Sequence, residues 1–147
     1  MKNIFLADDD ADDRDFFADA LKEVKMETEL ITANDGMELM SSLDEKVTVP
    51  PPPHVIFLDL NMPRKNGYEC LKEIRETDKL KNIPVVVFST SENKHAIDTA
   101  YDLGANCYIR KPKSHELLIQ SIETVMGLDL WRHNRQLPKK EFVIALS

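Results

Sequence analysis

The sequence predicts an α/β fold, a doubly wound five-stranded parallel sheet with five helices. Short apolar runs alternate five times with segments of helical periodicity, a pattern typical of a parallel sheet covered by helices on both faces. The runs are continuous rather than alternately apolar and polar, as expected of strands buried on both faces. At 147 residues, with 42% hydrophobic and 31% charged residues, the chain suits one globular domain with a substantial core.

Each apolar run predicts a strand, and each periodic segment after it predicts a helix. Strands are expected at residues 4–7, 30–33, 55–58, 85–88 and 106–109. Helices are expected at residues 11–25, 36–45, 68–76, 94–103 and 115–126. In the first helix, Phe17, Leu21 and Val24 recur at the spacing of one helical face, as Leu118 and Ile122 do in the last.

Prolines and glycines mark the boundaries of these elements. Pro84 introduces the fourth strand, and Gly104 and Gly127 are predicted to cap the fourth and last helices at their C-terminal ends. Residues 50–53 are four consecutive prolines, which fit neither a helix interior nor a central strand. We interpret them as a stiff extended loop, and a ligand for a proline-recognition domain is the alternative.

Residues 128–147 do not continue the alternation of strands and helices. Apolar positions such as Trp131 and Phe142 flank a polar stretch, and Leu137-Pro138 breaks the chain. The segment is too short for a second domain, so we expect it to pack on the body or to serve an interface. We therefore divide the chain into a domain at residues 1–127 and a C-terminal extension at residues 128–147.

Composition argues against several classes of protein. A net charge of -7 and a pI near 5.1 disfavour non-specific binding to nucleic acid or to an anionic membrane. No apolar run approaches the roughly 20 residues of a membrane span, and no signal peptide is expected. Cys70 and Cys107 lie in periodic segments and are interpreted as reduced core residues of a cytoplasmic protein. The four histidines are scattered and are expected on the surface or in loops.

Reactive side chains follow four of the five predicted strands. Residues 55–63 read V-I-F-L-D-L-N-M-P, so the third strand ends on Asp59. Asp8 and Asp9 follow the first strand, Ser89 follows the fourth and Lys111 the fifth. Because the carboxyl ends of the strands of a doubly wound sheet meet at one rim, we expect these side chains to lie together. Asp59 by itself could equally be a helix N-cap.

The charges of this cluster predict a metal ion. Two like charges ~4 Å apart repel by ~1 kcal/mol in water and by ~4 kcal/mol at a partly screened site. Lys111 can neutralise one carboxylate, and Mg²⁺ on oxygen ligands suits the others. The backbone carbonyl of Asn61 could complete the metal site. Asp59 as nucleophile, with Lys111 and Ser89 holding phosphoryl oxygens, then matches phosphoryl transfer to an aspartate.

The remaining acids near the first strand have simpler interpretations. Asp10 is expected to be the N-cap of the first helix rather than a metal ligand. Asp12, Asp13 and Asp15 are expected to be first-turn acids that the helix dipole favours.

Four ordered motifs carry a resemblance to a known family. They read L-A-D-D-D, F-L-D-L-N-M-P, V-F-S-T and Y-I-R-K-P. Over roughly residues 3–126 the chain resembles the CheY-like receiver domain of two-component response regulators, which implies a flavodoxin-like fold. The resemblance implies that Asp59 accepts a phosphoryl group from a histidine kinase or a phosphotransfer protein. It implies Mg²⁺ on Asp8, Asp9, Asp59 and the Asn61 carbonyl.

The resemblance also assigns a switch and a partner surface. Ser89 stands at the switch hydroxyl, Lys111 at the lysine that binds phosphate, and Tyr108 at the aromatic switch. Tyr108 could instead be a half-buried aromatic of an edge strand. Arg110, at a position usually apolar in the family, lies on the same strand face as Tyr108. That face, formed by the fourth helix, fifth strand and last helix, is the one receivers use for dimers and partners.

The tail resembles that of stand-alone receivers which partner bacterial phytochromes, a weaker match that suggests homodimerisation. No DNA-binding domain is expected after the last helix. The expected function is a single-domain response regulator that catalyses only its own phosphorylation and dephosphorylation, and a phosphorylation-independent scaffold is the alternative. A haloacid-dehalogenase-like phosphatase would need an acid where Asn61 stands. A flavodoxin-like FMN carrier would need a hydroxyl- and glycine-rich loop in place of Asp8-Asp9-Asp10.

Overall fold

The structure, a computed structural model, describes residues 2–48, 54–130 and 136–144. Its strands are β1 (Lys2–Ala7), β2 (Thr28–Ala33), β3 (His54–Leu58), β4 (Val85–Ser89) and β5 (Cys107–Arg110). Its helices are α1 (Ala11–Lys22), α2 (Gly36–Lys46), α3 (Gly67–Glu76), α4 (Lys94–Asp102) and α5 (His115–Gly127). The predictions for residues 50–53 and for Trp131 lie outside the described residues.

The five strands form one parallel sheet in the order β2-β1-β3-β4-β5. This confirms the predicted doubly wound sheet with five helices. The chain starts near the middle of the sheet, builds outward to β2 and then returns to build β3, β4 and β5. The strand order reverses between β1 and β3, and in open α/β sheets this is where the carboxyl ends of the strands leave a crevice for chemistry.

Apolar side chains cover both faces of the sheet. On one face, Phe5 and Ile56 belong to a core with residues of α2, α3 and α4. On the other, Phe57 and Phe88 pack edge-to-face with Phe17 of α1, at ring-centroid distances of 5.0 and 5.6 Å. Strands β3 and β4 are buried along their whole length, which explains their continuous apolar runs.

Two local predictions about helix ends have different outcomes. Gly104 follows α4 with a φ of 97°, a left-handed conformation that glycine adopts without steric cost, so its predicted capping role is confirmed. Gly127 is the last residue of α5, and the left-handed residue after that helix is Asp129 at a φ of 54°. The prediction for Gly127 was therefore wrong by two residues. The later exit places Leu130 in the core.

The interpretation of the histidines was wrong for His54. It is the first residue of β3, it is buried, and its ring lies edge-on to Phe5 at a centroid distance of 5.4 Å. Both cysteines are buried free thiols, as expected. Across the described ranges, no helix combines the length and the apolar character needed to cross a membrane.

Residues 136–144 of the C-terminal extension, called the C-terminal segment from here on, pack beside β5. The Tyr108 amide donates to the Phe142 carbonyl at 2.9 Å, and the Ile144 amide donates to the Tyr108 carbonyl at 2.9 Å. These two hydrogen bonds form a parallel bridge between Tyr108 and Val143 on the outer edge of the sheet. Of the two predicted roles, packing on the body is the one seen here, and the interface role stays a prediction.

Candidate functional site

Backbone hydrogen bonds place three of the predicted site residues at one rim. The Asp8 amide donates to the Ala33 carbonyl at 3.1 Å, and the Asp59 amide donates to the Ala7 carbonyl at 3.0 Å. The Lys111 amide likewise donates to the carbonyl of the last residue of β4, at 2.9 Å. The hydrogen-bond ladder of the sheet thus extends one residue beyond each strand, which holds these three side chains beside one another.

Three carboxylates meet at this rim. Oxygens of Asp8, Asp9 and Asp59 lie within 4.8 Å of one another, with Asp8 and Asp59 buried and Asp9 exposed. Burial raises the pKa of Asp59 to about 6, and it raises the pKa of Asp8 as well. Removal from water thus disfavours the charged forms of Asp8 and Asp59. A divalent cation bound to these hard oxygen donors would stabilise the charged forms again. The residues present therefore fit Mg²⁺ or a similar ion.

The start of α3 lies against the backbone of Asp59 and Leu60, and its first residue, Gly67, leaves room for this approach. A Cβ on Gly67 would lie 2.3 Å from the Asp59 carbonyl oxygen and 2.7 Å from Leu60 Cα. Asn66 begins α3 with a capping box, as its side chain accepts from the Glu69 amide. The backbone of Asn61 donates a hydrogen bond that lowers the pKa of Asp59, partly offsetting burial. The metal-binding role of the Asn61 carbonyl stays a prediction.

Lys111 is shared by three carboxylates. Its Nζ lies 2.7 Å from Asp8 Oδ2, 2.9 Å from Asp13 Oδ2 and 3.4 Å from Asp59 Oδ2. Burial lowers the pKa of Lys111, but the hydrogen bonds to Asp8 and Asp13 and the charge of Asp59 outweigh it and raise the pKa above its ordinary value. A lysine so placed stays charged and can move to an incoming phosphoryl oxygen.

The contact between Asp13 and Lys111 was not expected from the sequence. Asp10 is the N-cap of α1, as predicted, and its side chain accepts from the amides of Asp12 and Asp13. Asp13 was interpreted as a first-turn acid, and it is one, but its carboxylate also reaches across to the end of β5. An acid in the first turn of the helix, four residues after the predicted metal-binding pair Asp8-Asp9, is a sequence signal that could have suggested this.

Ser89 and Tyr108 are connected through the loop after β4. Ser89 is buried, and its hydroxyl oxygen accepts from the Ser91 amide at 3.2 Å. The Tyr108 hydroxyl donates to the Ser91 carbonyl at 2.9 Å. Tyr108 is fully buried rather than half-buried, because Phe142 of the C-terminal segment packs over it at a ring-centroid distance of 6.2 Å. A displacement of the Ser91 backbone would therefore change a hydrogen bond of Ser89 and a hydrogen bond of Tyr108.

The surface predicted for partners is built partly by the chain's own C-terminal segment. Arg110 is exposed at the end of β5 and lies 3.9 Å from Glu92. Beyond β5, Lys139 of the segment lies 3.5 Å from Asp98 of α4. The outer edge of β5 is thus paired at Tyr108 and is covered there. Arg110, at the end of β5, stays accessible beside this covered edge.

The chain matches known proteins along nearly its whole length. The response regulator receiver domain family matches residues 4–123. Response regulator Rcp1 of Synechocystis sp. is 34% identical over 139 residues, covering 93% of each chain. Chemotaxis protein CheY1 of Helicobacter pylori is 29% identical over 124 residues, covering 84% of this chain and 96% of that one.

Solved structures give the same result. The Mn²⁺-bound form of response regulator Rcp1 has a TM-score of 0.74 at 34% identity, covering 94% of this chain and 99% of that one. The phosphorylated cyanobacterial phytochrome response regulator RcpA has a TM-score of 0.75 at 38% identity, covering 93% of this chain and 98% of that one. Sheet order, rim chemistry and sequence similarity agree, and the chain belongs to the response regulator receiver domain family, a family of signalling proteins rather than classical enzymes.

Proposed function

We propose that the protein is a cytoplasmic single-domain response regulator of a two-component phosphorelay, in which Asp59 accepts a phosphoryl group in a Mg²⁺-dependent reaction. The observation that carries the proposal is the meeting of Asp59 with Asp8, Asp9 and Lys111 at one rim of the sheet. Two similar proteins support it, because Rcp1 was solved with Mn²⁺ and RcpA in a phosphorylated form. The donor would be a histidine kinase or a phosphotransfer protein.

In the proposed reaction a carboxylate oxygen of Asp59 attacks phosphorus. The P–N bond of a phosphohistidine donor breaks, its electron pair returns to the imidazole, and a new P–O bond forms on Asp59. A Mg²⁺ ion on Asp8, Asp9, Asp59 and the Asn61 carbonyl would neutralise charge on the phosphoryl oxygens. With a pKa of about 6, Asp59 is mostly ionised at neutral pH and can act as the nucleophile.

The other side chains of the site would stabilise the product. Lys111 moves its ammonium from the carboxylates to a phosphoryl oxygen, and the Ser89 hydroxyl donates a hydrogen bond to another. Turning the Ser89 hydroxyl changes its present contact with the Ser91 amide. Because the Ser91 carbonyl also accepts from Tyr108, the change passes to the surface of α4 and the C-terminal segment. That surface would then change its affinity for a partner, including a second copy of the chain.

The decisive experiment is Mg²⁺-dependent labelling of Asp59. Acetyl phosphate or a cognate kinase should label the wild-type protein, and Asp59→Asn should abolish labelling. Asp15→Asn, a change of the same kind on the exposed surface of α1, is the matched control and should be labelled normally. Full labelling of Asp59→Asn would contradict the assignment. Sizing chromatography before and after phosphorylation tests the proposed homodimer, and partner binding that ignores phosphorylation would favour the scaffold alternative.

A further inference from the structure

The carboxylates that hold Lys111 fall into two groups. Asp8 and Asp59 belong to the cluster that fits a metal ion, whereas Asp13 is not among the three acids whose oxygens meet there. Yet Asp13 Oδ2 lies 2.9 Å from Lys111 Nζ, closer than Asp59 Oδ2 at 3.4 Å. A metal ion would therefore compensate the charges of two partners of Lys111, Asp8 and Asp59. The charge of the third partner, Asp13, would still attract the ammonium of Lys111.

The position of Asp13 favours a lasting ion pair with Lys111. It lies in the first turn of α1, and its amide is fixed by the side chain of the N-cap residue, Asp10. Its side chain is 40% exposed, whereas that of Lys111 is 10% exposed. The pair thus spans the boundary between the buried rim and solvent. A cavity of about 420 Å³ opens there, and its wall includes Asp12, Asp13 and Lys111.

We propose that Asp13 is a positioning residue that restrains Lys111 and so limits how tightly the site holds a phosphoryl group. The proposal rests on the proposed function. In the metal-bound site, Asp13 competes with the phosphoryl oxygens for the ammonium of Lys111. Removing the charge of Asp13 should therefore strengthen phosphoryl binding.

The test compares two changes in the same helical turn. Asp13→Asn removes the charge that contacts Lys111. Asp12→Asn removes an equal charge one residue away, on an exposed side chain, while the partners of Lys111 stay in place. At saturating Mg²⁺, Asp13→Asn should bind trifluoroberyllate, a phosphoryl analogue, about two- to fivefold more tightly than wild type, the range of a partly exposed ion pair. Asp12→Asn should bind it like wild type, and Asp13→Glu should restore wild-type affinity.

Equal effects of Asp13→Asn and Asp12→Asn would overturn the proposal, since the general charge of the helix would then explain both. Weaker binding by Asp13→Asn would also overturn it, because Asp13 would then be a required anchor. A second readout needs no phosphodonor: the ¹⁵Nζ resonance of Lys111 should shift, and its protons should exchange faster, in Asp13→Asn. An unchanged resonance refutes the restraint. If the resonance responds but wild type is neither labelled nor binds trifluoroberyllate, the proposed function is what fails.

Discussion

Tyr108 and Phe142 contact each other through both backbone and side chain. The Tyr108 amide donates to the Phe142 carbonyl at 2.9 Å, and their ring centroids lie 6.2 Å apart. Phe142 also packs edge-on against Tyr101 of α4 at 5.1 Å and is 1% exposed. The C-terminal segment therefore forms one wall of the space around Tyr108, and any movement of that ring involves the segment.

Phe142→Ala should destabilise the protein by about 3 kcal/mol, the usual cost of removing a buried phenylalanine ring. The ring is enclosed by Tyr101 and Tyr108, so the cavity left behind cannot close without moving α4 or β5. Urea unfolding measures the change. Glu141→Ala, an exposed neighbour, is the control and should change stability by less than about 0.5 kcal/mol. An equally small change in stability for Phe142→Ala would mean that the C-terminal segment is not packed against Tyr101 and Tyr108.

Tyr108→Phe tests the connection through Ser91 while keeping the buried ring. The change removes the hydroxyl that donates to the Ser91 carbonyl, at a cost of about 1 kcal/mol. Labelling of Asp59 should persist, but the phosphorylation-dependent change in self-association or partner binding should weaken. Analytical ultracentrifugation with and without trifluoroberyllate measures it. Tyr101→Phe, on the same surface, is the control, and a normal response in Tyr108→Phe would refute the switch role.

Asp59→Asn should stabilise the metal-free protein at neutral pH. Burial raises the pKa of Asp59 from 3.8 to about 6, so between these values the folded state binds more protons than the unfolded state. Stability therefore falls as pH rises from about 4 to about 6, and above that range the penalty is of the order of 3 kcal/mol. The variant lacks this titration.

The measurement is urea unfolding of both proteins from pH 4 to pH 7.5 with a chelator present. The stability of Asp59→Asn relative to wild type should grow as pH rises to about 6 and then level off. Added Mg²⁺ should reverse the advantage at neutral pH, because the ion binds the wild-type carboxylates. A stability difference that does not vary with pH would show that burial of this carboxyl carries no penalty.

Asp9→Asn should lower the affinity for Mg²⁺ or Mn²⁺ at least about tenfold, because loss of an outer-shell partner already costs about that much and Asp9 is proposed to bind the ion directly. Asp9 is exposed, so the stability of the metal-free protein should change little. Calorimetric titration with Mn²⁺ measures the affinity. Asp10→Asn is a matched control, since it removes an adjacent charge and keeps a good N-cap on α1. Equal losses in both variants would mean that the site attracts cations by charge alone.

Local sequence patterns predicted most of the fold. Strands β3 and β4 could be recognised from the continuous apolar runs at residues 55–58 and 85–88, because burial on both faces favours apolar side chains at every position of such a run. The end of α5 could not be located in the same way. Gly127 resembles a C-terminal cap, but it is the last helical residue, and the left-handed residue after the helix is Asp129, directly before the buried Leu130. Tertiary packing thus outweighed a local preference.

The candidate site, like the fold, could be predicted from the sequence only in part. The sequence by itself determined that Asp8, Asp59 and Lys111 share one rim, because each follows a strand of a parallel sheet and such strands all end on one side. It did not determine that Asp13 touches Lys111 or that Phe142 covers Tyr108. These contacts join elements far apart in the chain, and only the packing of α1 against the sheet and of residues 136–144 against β5 creates them.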